Sequence, residues 1–220
     1  LACAAALGVT IAMMTRAQIE LHEVSASWPQ YRAAKVGAAL RSMSQELQRT
    51  SRELSASATS ALDVGGAATS TFAEMARLAH GPDERGVVLY TGPRAVAWGG
   101  QLRVSPDSVT DTVGVIASPF YLTLYSVAER NGRRGIATAL IEAAPPANEL
   151  AQSMAERLAE RTGLSGFVFS APADSDSDAE VLRFSYGGKR IFDVRPQTLL
   201  QGEVKVRLEE QARVRVAILL

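Results

Sequence analysis

The chain has 220 residues, of which 47% are apolar and 21% are charged, and its basic and acidic side chains balance to a net charge of zero. This is the composition of a globular protein and not that of a disordered chain. Because there is no basic surplus to attract phosphate groups, no nucleic-acid partner is expected.

The first fourteen residues carry no charge, and the first charged side chain is Arg16. An uncharged helix of this length spans about 21 Å, somewhat less than a bilayer core. We interpret residues 1–15 as the outer part of a transmembrane helix, with a secretory signal peptide as the alternative. Cys3, the only cysteine, permits neither an internal disulfide nor a zinc framework, and a small buried side chain explains it better than a lipid anchor.

Residues 16–85 are predicted to form membrane-proximal helices. Apolar residues recur there at intervals of three, four and seven, which is the spacing of one helix face. This seam consists of Leu40, Met43, Leu47, Leu54, Ala58 and Ala61. We expect it to pack against the rest of the domain or against a partner helix. A shorter helix is predicted over residues 69–80, ended by Gly81 and Pro82.

Trp28 and Tyr31 flank a predicted break at Pro29, just past the expected membrane surface. Amphipathic aromatic side chains accumulate at membrane interfaces, and we assign these two to that role. Packing at a helix corner is the alternative interpretation.

The composition changes to alternating apolar runs in the region 86–208, which is predicted to be an α+β domain. Strands are predicted over residues 86–90, 95–98, 113–116, 120–128, 136–141, 167–169, 181–186 and 190–194, with a possible further strand at 203–207. Asn131-Gly132 and Gly187-Gly188 are typical of tight hairpin turns. A helix is predicted over residues 149–161, with Asn148 as its N-cap and Gly163 as its C-terminal stop.

This order of elements predicts the α+β class with a mostly antiparallel sheet, because the strands form runs and the helices are set apart. Residues 209–220 become apolar again after an arginine pair, Arg213 and Arg215. They are expected either to return toward the membrane or to form a final strand.

No catalytic motif appears in the sequence, so an enzyme, a cofactor and a metal are not expected. His22 and His80 have no ligand-spaced partner. Asp174, Asp176 and Asp178 resemble the first half of a calcium loop, but the glycine and the bidentate glutamate of the second half are missing. We interpret this segment as a solvated acidic hairpin tip.

Five residues are candidates for a ligand or partner surface. Arg133 and Arg134 belong to a basic turn that would suit an anionic partner, although a solvated hairpin tip is the alternative. Trp98 precedes two glycines and would line a pocket inside the sheet together with Tyr121 and Phe184, although a core aromatic residue followed by a turn is the alternative.

The stretch 86–100 reads as an opening hairpin and the stretch 181–196 as a closing one. Preceded by a span and a long helix, they resemble the extracytoplasmic sensor domains of bacterial receptor histidine kinases, over about residues 15–215. The resemblance implies a PAS-like sheet, sensing of a small molecule or a partner without chemistry, and a location on the periplasmic side of the inner membrane. No kinase element accompanies it.

A second hypothesis is a membrane-extrinsic accessory subunit of a larger complex, such as a bacterial photosynthetic reaction centre with its antenna. The sequence has no haem-attachment or pigment motif. Expected partners are membrane lipid and either other membrane subunits or a second copy of the chain. A pocket in the sheet would favour the sensor, and apolar residues exposed along 40–62 would favour the subunit.

Overall fold

The computed structural model describes residues 15, 18–105, 108–144, 152–173, 180–197 and 199–219. Its helices are α1 (residues 18–26), α2 (Trp28–Ala61), α3 (Ala68–Leu78), α4 (Met154–Thr162) and α5 (Gln201–Leu219). Its strands are β1 (Arg85–Thr91), β2 (Arg94–Gly100), β3 (Val113–Ala117), β4 (Tyr121–Arg130), β5 (Arg133–Ala143), β6 (Phe167–Ser170), β7 (Leu182–Tyr186) and β8 (Lys189–Pro196). The chain is therefore α+β, as predicted.

The chain divides into two compact units. One is Ala39–Pro196, and the other combines the segment up to Ala38 with the segment from Gln197 onward. The first unit contains both sheets, and the second contains α1, the first turns of α2, and α5.

The larger sheet has five antiparallel strands in the order β2-β1-β5-β4-β3. The hairpin between β4 and β5 turns at Asn131 and Gly132, whose φ angles are 53° and 74°. A two-residue turn with both φ angles positive matches the twist of the strands that it joins, which is why Asn-Gly is favoured there. This predicted turn is confirmed, as are the strands on either side.

Helix α2 covers one face of this sheet with the seam that the sequence predicts. Met43, Leu47, Leu54 and Ala58 are fully buried, and Ser51, which interrupts the seam, donates its hydroxyl to the Leu47 carbonyl oxygen at 2.8 Å. The helix lies so close to β5 that a Cβ at Gly135 would overlap the Ala58 carbonyl oxygen.

Helix α3 makes the same kind of approach to β2. A Cβ at Gly99 would overlap the backbone of Met75 and Ala76 in α3. Glycine at these positions therefore sets the spacing between the helices and the sheet.

The connection between β2 and β3 packs on the opposite face of the larger sheet. Gly135 and Ile136 are consecutive in β5, so their side chains point to opposite faces. Ile136 packs with Val88, Tyr125 and Val109, the last of which belongs to this connection. The protein's own chain thus covers part of this face.

The smaller sheet has three antiparallel strands in the order β6-β8-β7. Phe192 of β8 packs between Phe169 of β6 and Phe184 of β7, with ring centroids 5.7 and 5.2 Å apart. The turn between β7 and β8 uses Gly187 and Gly188, both with positive φ, as predicted.

The predicted start of the helix before the smaller sheet is wrong. Its N-cap is Ser153, whose hydroxyl accepts from the Glu156 amide while the Glu156 carboxylate accepts from the Ser153 amide. This reciprocal pair satisfies two amide groups that a helix start leaves unpaired. Asn148, the predicted cap, lies outside the described residues, whereas Gly163 ends the helix as expected, with a φ of 74°.

The possible strand over residues 203–207 is also wrong, because these residues belong to α5. Val204 and Val206 alternate as in a strand, but helix formers surround them, and Val204 is buried on one helix face. Within its own unit, α5 donates the Gln201 side-chain amide to the Val24 carbonyl oxygen of α1 at 2.6 Å.

Trp28 and Tyr31 belong to this second unit and stack with ring centroids 6.0 Å apart. The Tyr31 hydroxyl lies 3.4 Å from Glu20, and the Lys35 ammonium donates to the same carboxylate at 3.2 Å and lies over the Tyr31 ring. Burial raises the pKa of Tyr31. The pair thus packs at the corner between α1 and α2, and whether it also meets a membrane stays a prediction.

None of the described helices combines the length and the apolar character that a bilayer crossing requires. The uncharged opening stretch, residues 1–14, lies outside the described residues.

Candidate functional site

A cavity of about 390 Å³ opens between the two sheets of the Ala39–Pro196 unit. One wall comes from β3, β4 and the hairpin that joins them, including Val115, Tyr121 and Leu122. The other comes from β6 and β8, including Phe169 and Phe192. The cavity is therefore built by elements far apart in the sequence.

The hairpin that forms one lip of the cavity is held by hydrogen bonds of its backbone and of Ser118. The Ser118 amide donates to the Tyr121 carbonyl oxygen at 2.8 Å, and the Tyr121 amide donates to the Ser118 hydroxyl at 3.0 Å. The Ala144 amide donates to the Phe120 carbonyl oxygen at 2.8 Å. These bonds fix the backbone while leaving the Phe120 side chain 57% exposed at the opening.

The opposite lip, Ser170 to Pro172, is anchored through a buried aspartate. Asp193 accepts the Ala173 amide at 3.2 Å and three guanidinium contacts from Arg190, at 3.2, 3.0 and 2.9 Å. Asp193 lies on β8 next to Phe192. The bond from the Ala173 amide therefore connects this lip to the wall of the cavity that β8 forms.

Tyr121 carries a cation over its ring. The Arg103 guanidinium carbon lies 4.1 Å from the ring centroid, within the range of a cation–π contact. Arg103 is itself paired with Glu84 through two contacts, one of them 2.8 Å long. The Tyr121 ring is thus oriented by a cation whose charge is already balanced.

Glu142 is the one acidic residue among the described residues that line this cavity. It pairs with Leu122 of β4, but the next pair is Leu140 with Thr123, so Ile141 is an extra residue in β5. Such a bulge commonly re-aims a side chain beside a binding site. No hydrogen bond or ion pair to Glu142 forms among the described residues, and burial raises the pKa of its carboxyl group.

A second, more polar cavity of about 510 Å³ lies at the C-terminal end of α2. Arg130 and Arg134 line it, but both are engaged. Arg130 pairs with Asp63, and Arg134 donates to the Val109 carbonyl oxygen at 2.6 Å and lies 3.1 Å from Glu129. Its cations are therefore already bound within the fold.

A buried ion cluster joins α2, α4 and the residues before β1. Arg157 of α4 donates to Glu46 of α2 at 2.6 Å and to Asp83 at 2.9 Å. Burial raises the pKa of Asp83 despite this partner. Burial also opposes ionisation of Glu46, but hydrogen bonds from Arg157 and Arg49 outweigh it and lower the pKa of that carboxyl group. The cluster is internally neutralised and fastens α4 to α2.

The structure does not bring Trp98, Tyr121 and Phe184 to one pocket. Tyr121 lines the cavity, whereas Trp98 lies on edge strand β2, 51% exposed, with its ring against Phe72 of α3. Phe184 is 2% exposed and contacts the cavity only through Phe192, on which it packs. The three residues are spread over two sheets.

Arg133 and Arg134 of the predicted basic turn make bonds within the fold. Arg133 donates to the Val64 carbonyl oxygen at 2.6 Å, close behind the end of α2. Together with the contacts of Arg134, this bond holds both guanidinium groups against the fold, and Glu129 balances the charge of Arg134.

Sequence reasoning missed Glu142 and Phe169 as cavity residues. The available signal was a lone acid at the end of the apolar run Ile136–Ile141, in front of two alanines and two prolines. In the described part of the chain, no three histidine, cysteine or acidic side chains come together as metal ligands. Asp174, Asp176 and Asp178 lie outside that part.

Comparison of the chain with family models, with curated proteins and with solved structures returned no significant match.

Proposed function

We propose that this chain is a sensor-like binding domain and that the cavity between its two sheets is the ligand site. The observation that carries this proposal is a cavity of about 390 Å³ with aromatic walls from both sheets and the Glu142 carboxyl group, which has no partner among the described residues. Ligand sites are commonly concave and mostly apolar, with few polar groups, and have volumes of about 300–1,000 Å³. The cavity fits this description at its lower end.

The receptor setting is part of the same proposal. A five-stranded antiparallel sheet with a long helix across one face supports the resemblance to PAS-like sensor domains. A membrane anchor and a periplasmic location rest on the uncharged opening stretch alone. In this setting a ligand would act by preferring one of two arrangements of the domain, since only differential affinity moves such an equilibrium.

The accessory-subunit hypothesis keeps one supporting observation. Phe72, Val96 and Trp98 are exposed together on α3 and on the free edge strand β2. Apolar residues on an unpaired edge are typical of contact surfaces. Against this hypothesis, the seam along residues 40–62 is buried within the fold, and residues such as Arg41, Gln48 and Arg52 are the ones exposed there.

The binding proposal is tested by filling the cavity. Ala117 lines the cavity from edge strand β3 and is exposed, so Ala117→Trp blocks the space without changing the core. Ala95→Trp, at an exposed position of the other edge strand, is the matched control.

Amide chemical shifts are followed by NMR while cyclohexanol, tetraethylammonium and benzoate are titrated in turn. At least one should shift residues 115–122 and 168–172 in the wild type and in Ala95→Trp but not in Ala117→Trp. Shifts that are absent in the wild type, or that persist in Ala117→Trp, would contradict a ligand site at this place.

The accessory-subunit hypothesis is tested by mild detergent extraction of native membranes followed by mass spectrometry. A stable set of different subunits in fixed ratio would support it. A monomer or a dimer of this chain would support the receptor instead.

A further inference from the structure

The cavity between the two sheets has a marked electrostatic asymmetry. Among the described residues that line it there is one acid, Glu142, and no lysine, arginine or histidine. Tyr121 also lines the cavity, and its ring already makes a cation–π contact with Arg103. An anionic ligand would therefore meet a carboxyl group with no compensating charge.

Glu142 differs in this respect from the buried acids elsewhere in the same unit. Glu46 and Asp83 share Arg157, Glu84 binds Arg103, and Asp193 binds Arg190. The fold thus supplies an arginine where it withdraws these carboxylates from water, whereas none of the described residues supplies one to Glu142. A half-buried carboxylate without a cation is costly, and a ligand cation would offset that cost.

The aromatic walls point to the same ligand class. Phe120 and Tyr121 meet at 6.4 Å on one side of the cavity, and Phe169 and Phe192 meet at 5.7 Å on the other. Aromatic rings attract cations through their negative faces, and rings combined with a carboxylate form the usual cage for an alkylated ammonium group. Arg103 over Tyr121 demonstrates that attraction within this protein.

We propose that the cavity binds a small organic cation whose ammonium group lies between the Glu142 carboxylate and the aromatic walls. This inference rests on the proposed function, since it names the ligand class of the same site. The volume of about 390 Å³ suits a compact molecule of this kind. The bulge at Ile141 places Glu142 in the lining of the cavity, and hydrogen bonds hold the backbone of both lips.

The test compares choline with its neutral isostere 3,3-dimethylbutan-1-ol by NMR titration of the full chain. The two probes have the same shape and differ in charge. We expect the wild type to bind choline about tenfold more tightly than the alcohol or better, as a charge-assisted contact implies. Glu142→Gln should remove most of this preference while leaving the affinity for the alcohol within about twofold.

Glu129→Gln is the control, since it removes an equal charge from the exposed end of β4. It should leave the preference for choline unchanged, and a dispersed amide spectrum verifies the fold of each variant. Equal binding of the two probes by the wild type, or an unchanged preference in Glu142→Gln, would overturn the proposal.

The outcomes separate this inference from the proposed function. If choline does not shift the cavity residues but cyclohexanol does, and Ala117→Trp abolishes that shift, the site stands and the cation assignment fails. If no probe shifts these residues, both fail.

Discussion

Two regions of the Ala39–Pro196 unit withdraw carboxyl groups from water, and they neutralise them differently. In the ion cluster, Glu46 and Asp83 have side chains only 8% and 0% exposed, and Arg157 binds both. In the cavity between the sheets, Glu142 is half-buried and has no cation among the described residues. The first region is complete within the fold, whereas the second lacks a partner.

The difference separates an ion pair that serves folding from a charge that is available for binding. Removing one member of a buried ion cluster leaves the others uncompensated, so its effect is on the free energy of unfolding. Removing an unpartnered carboxylate relieves a cost and should stabilise the protein. Opposite signs of the two effects are therefore the main test of this comparison.

The largest effect is expected from Arg157→Met. It leaves Glu46 and Asp83 buried without their shared cation and should lower the free energy of unfolding by about 3 kcal/mol. Urea unfolding followed by circular dichroism measures this loss. Arg161→Met, at an exposed position of the same helix, should change the free energy of unfolding by less than about 0.5 kcal/mol. Equal losses in the two variants would show that the ion cluster does not cause the loss of stability in Arg157→Met.

A double-mutant cycle tests whether the loss arises from the carboxylates. In a background carrying Glu46→Gln and Asp83→Asn, Arg157→Met should cost less than in the wild type, with a coupling energy of about 2 kcal/mol. The same urea titrations supply all four values. A coupling energy near zero would mean that Arg157 contributes through packing instead of charge.

Ser153→Ala should cost about 1 kcal/mol, because it removes the capping hydroxyl from the helix that carries Arg157. Thermal unfolding measures the loss. Ser60→Ala, at an exposed serine near the end of α2, is the matched control and should be nearly neutral. A loss no larger than that of the control would contradict the assigned cap.

The smallest effect, and the one of opposite sign, is expected from Glu142→Gln without ligand. Burial raises the folded-state pKa of Glu142, so the folded protein holds its proton more tightly than the unfolded chain. The wild type therefore loses stability as the pH rises from about 4 through that raised pKa. The variant lacks this loss and should gain at most about 0.5 kcal/mol at neutral pH, because half-exposure screens the charge.

Unfolding of both proteins at pH 3.5 and pH 7.5 checks this prediction. The two should be equally stable at the acidic pH and differ only at the neutral one. Destabilisation by Glu142→Gln at neutral pH would mean that the carboxylate has a partner within the fold, and the comparison between the two regions would fail.

Local chemistry accounts for how much of the fold the sequence predicts. Asn131-Gly132 and Gly187-Gly188 select their turns through backbone freedom, so the hairpins around them follow directly. The spacing of the apolar residues along α2 is also a local property of the sequence, and it predicts which face of that helix is buried. In contrast, Val204 and Val206 are equally compatible with a strand, and only the packing of α5 decides between the two.

The candidate site depends on long-range contacts, which is why the sequence located only part of it. Tyr121 was predicted as a site residue, but its neighbours in the cavity, Phe169 and Phe192, come from the other sheet. Glu142 reaches the cavity through a bulge that apolar periodicity does not reveal. Trp98 and Phe184 are predicted as site residues because they are aromatic. In the structure, Trp98 packs against Phe72 at an edge of the larger sheet, and Phe184 packs against Phe192 in a core.

Gly99 and Gly135 have a consequence for how this fold can diverge. At both positions the obstacle to a methyl group is the main chain of a helix, so no exchange of neighbouring side chains would create room. Distant descendants of this protein could replace nearly every core residue by compensated substitution while keeping the architecture. These two glycines are among the positions at which such drift should stop, and they would mark common ancestry after overall resemblance had faded.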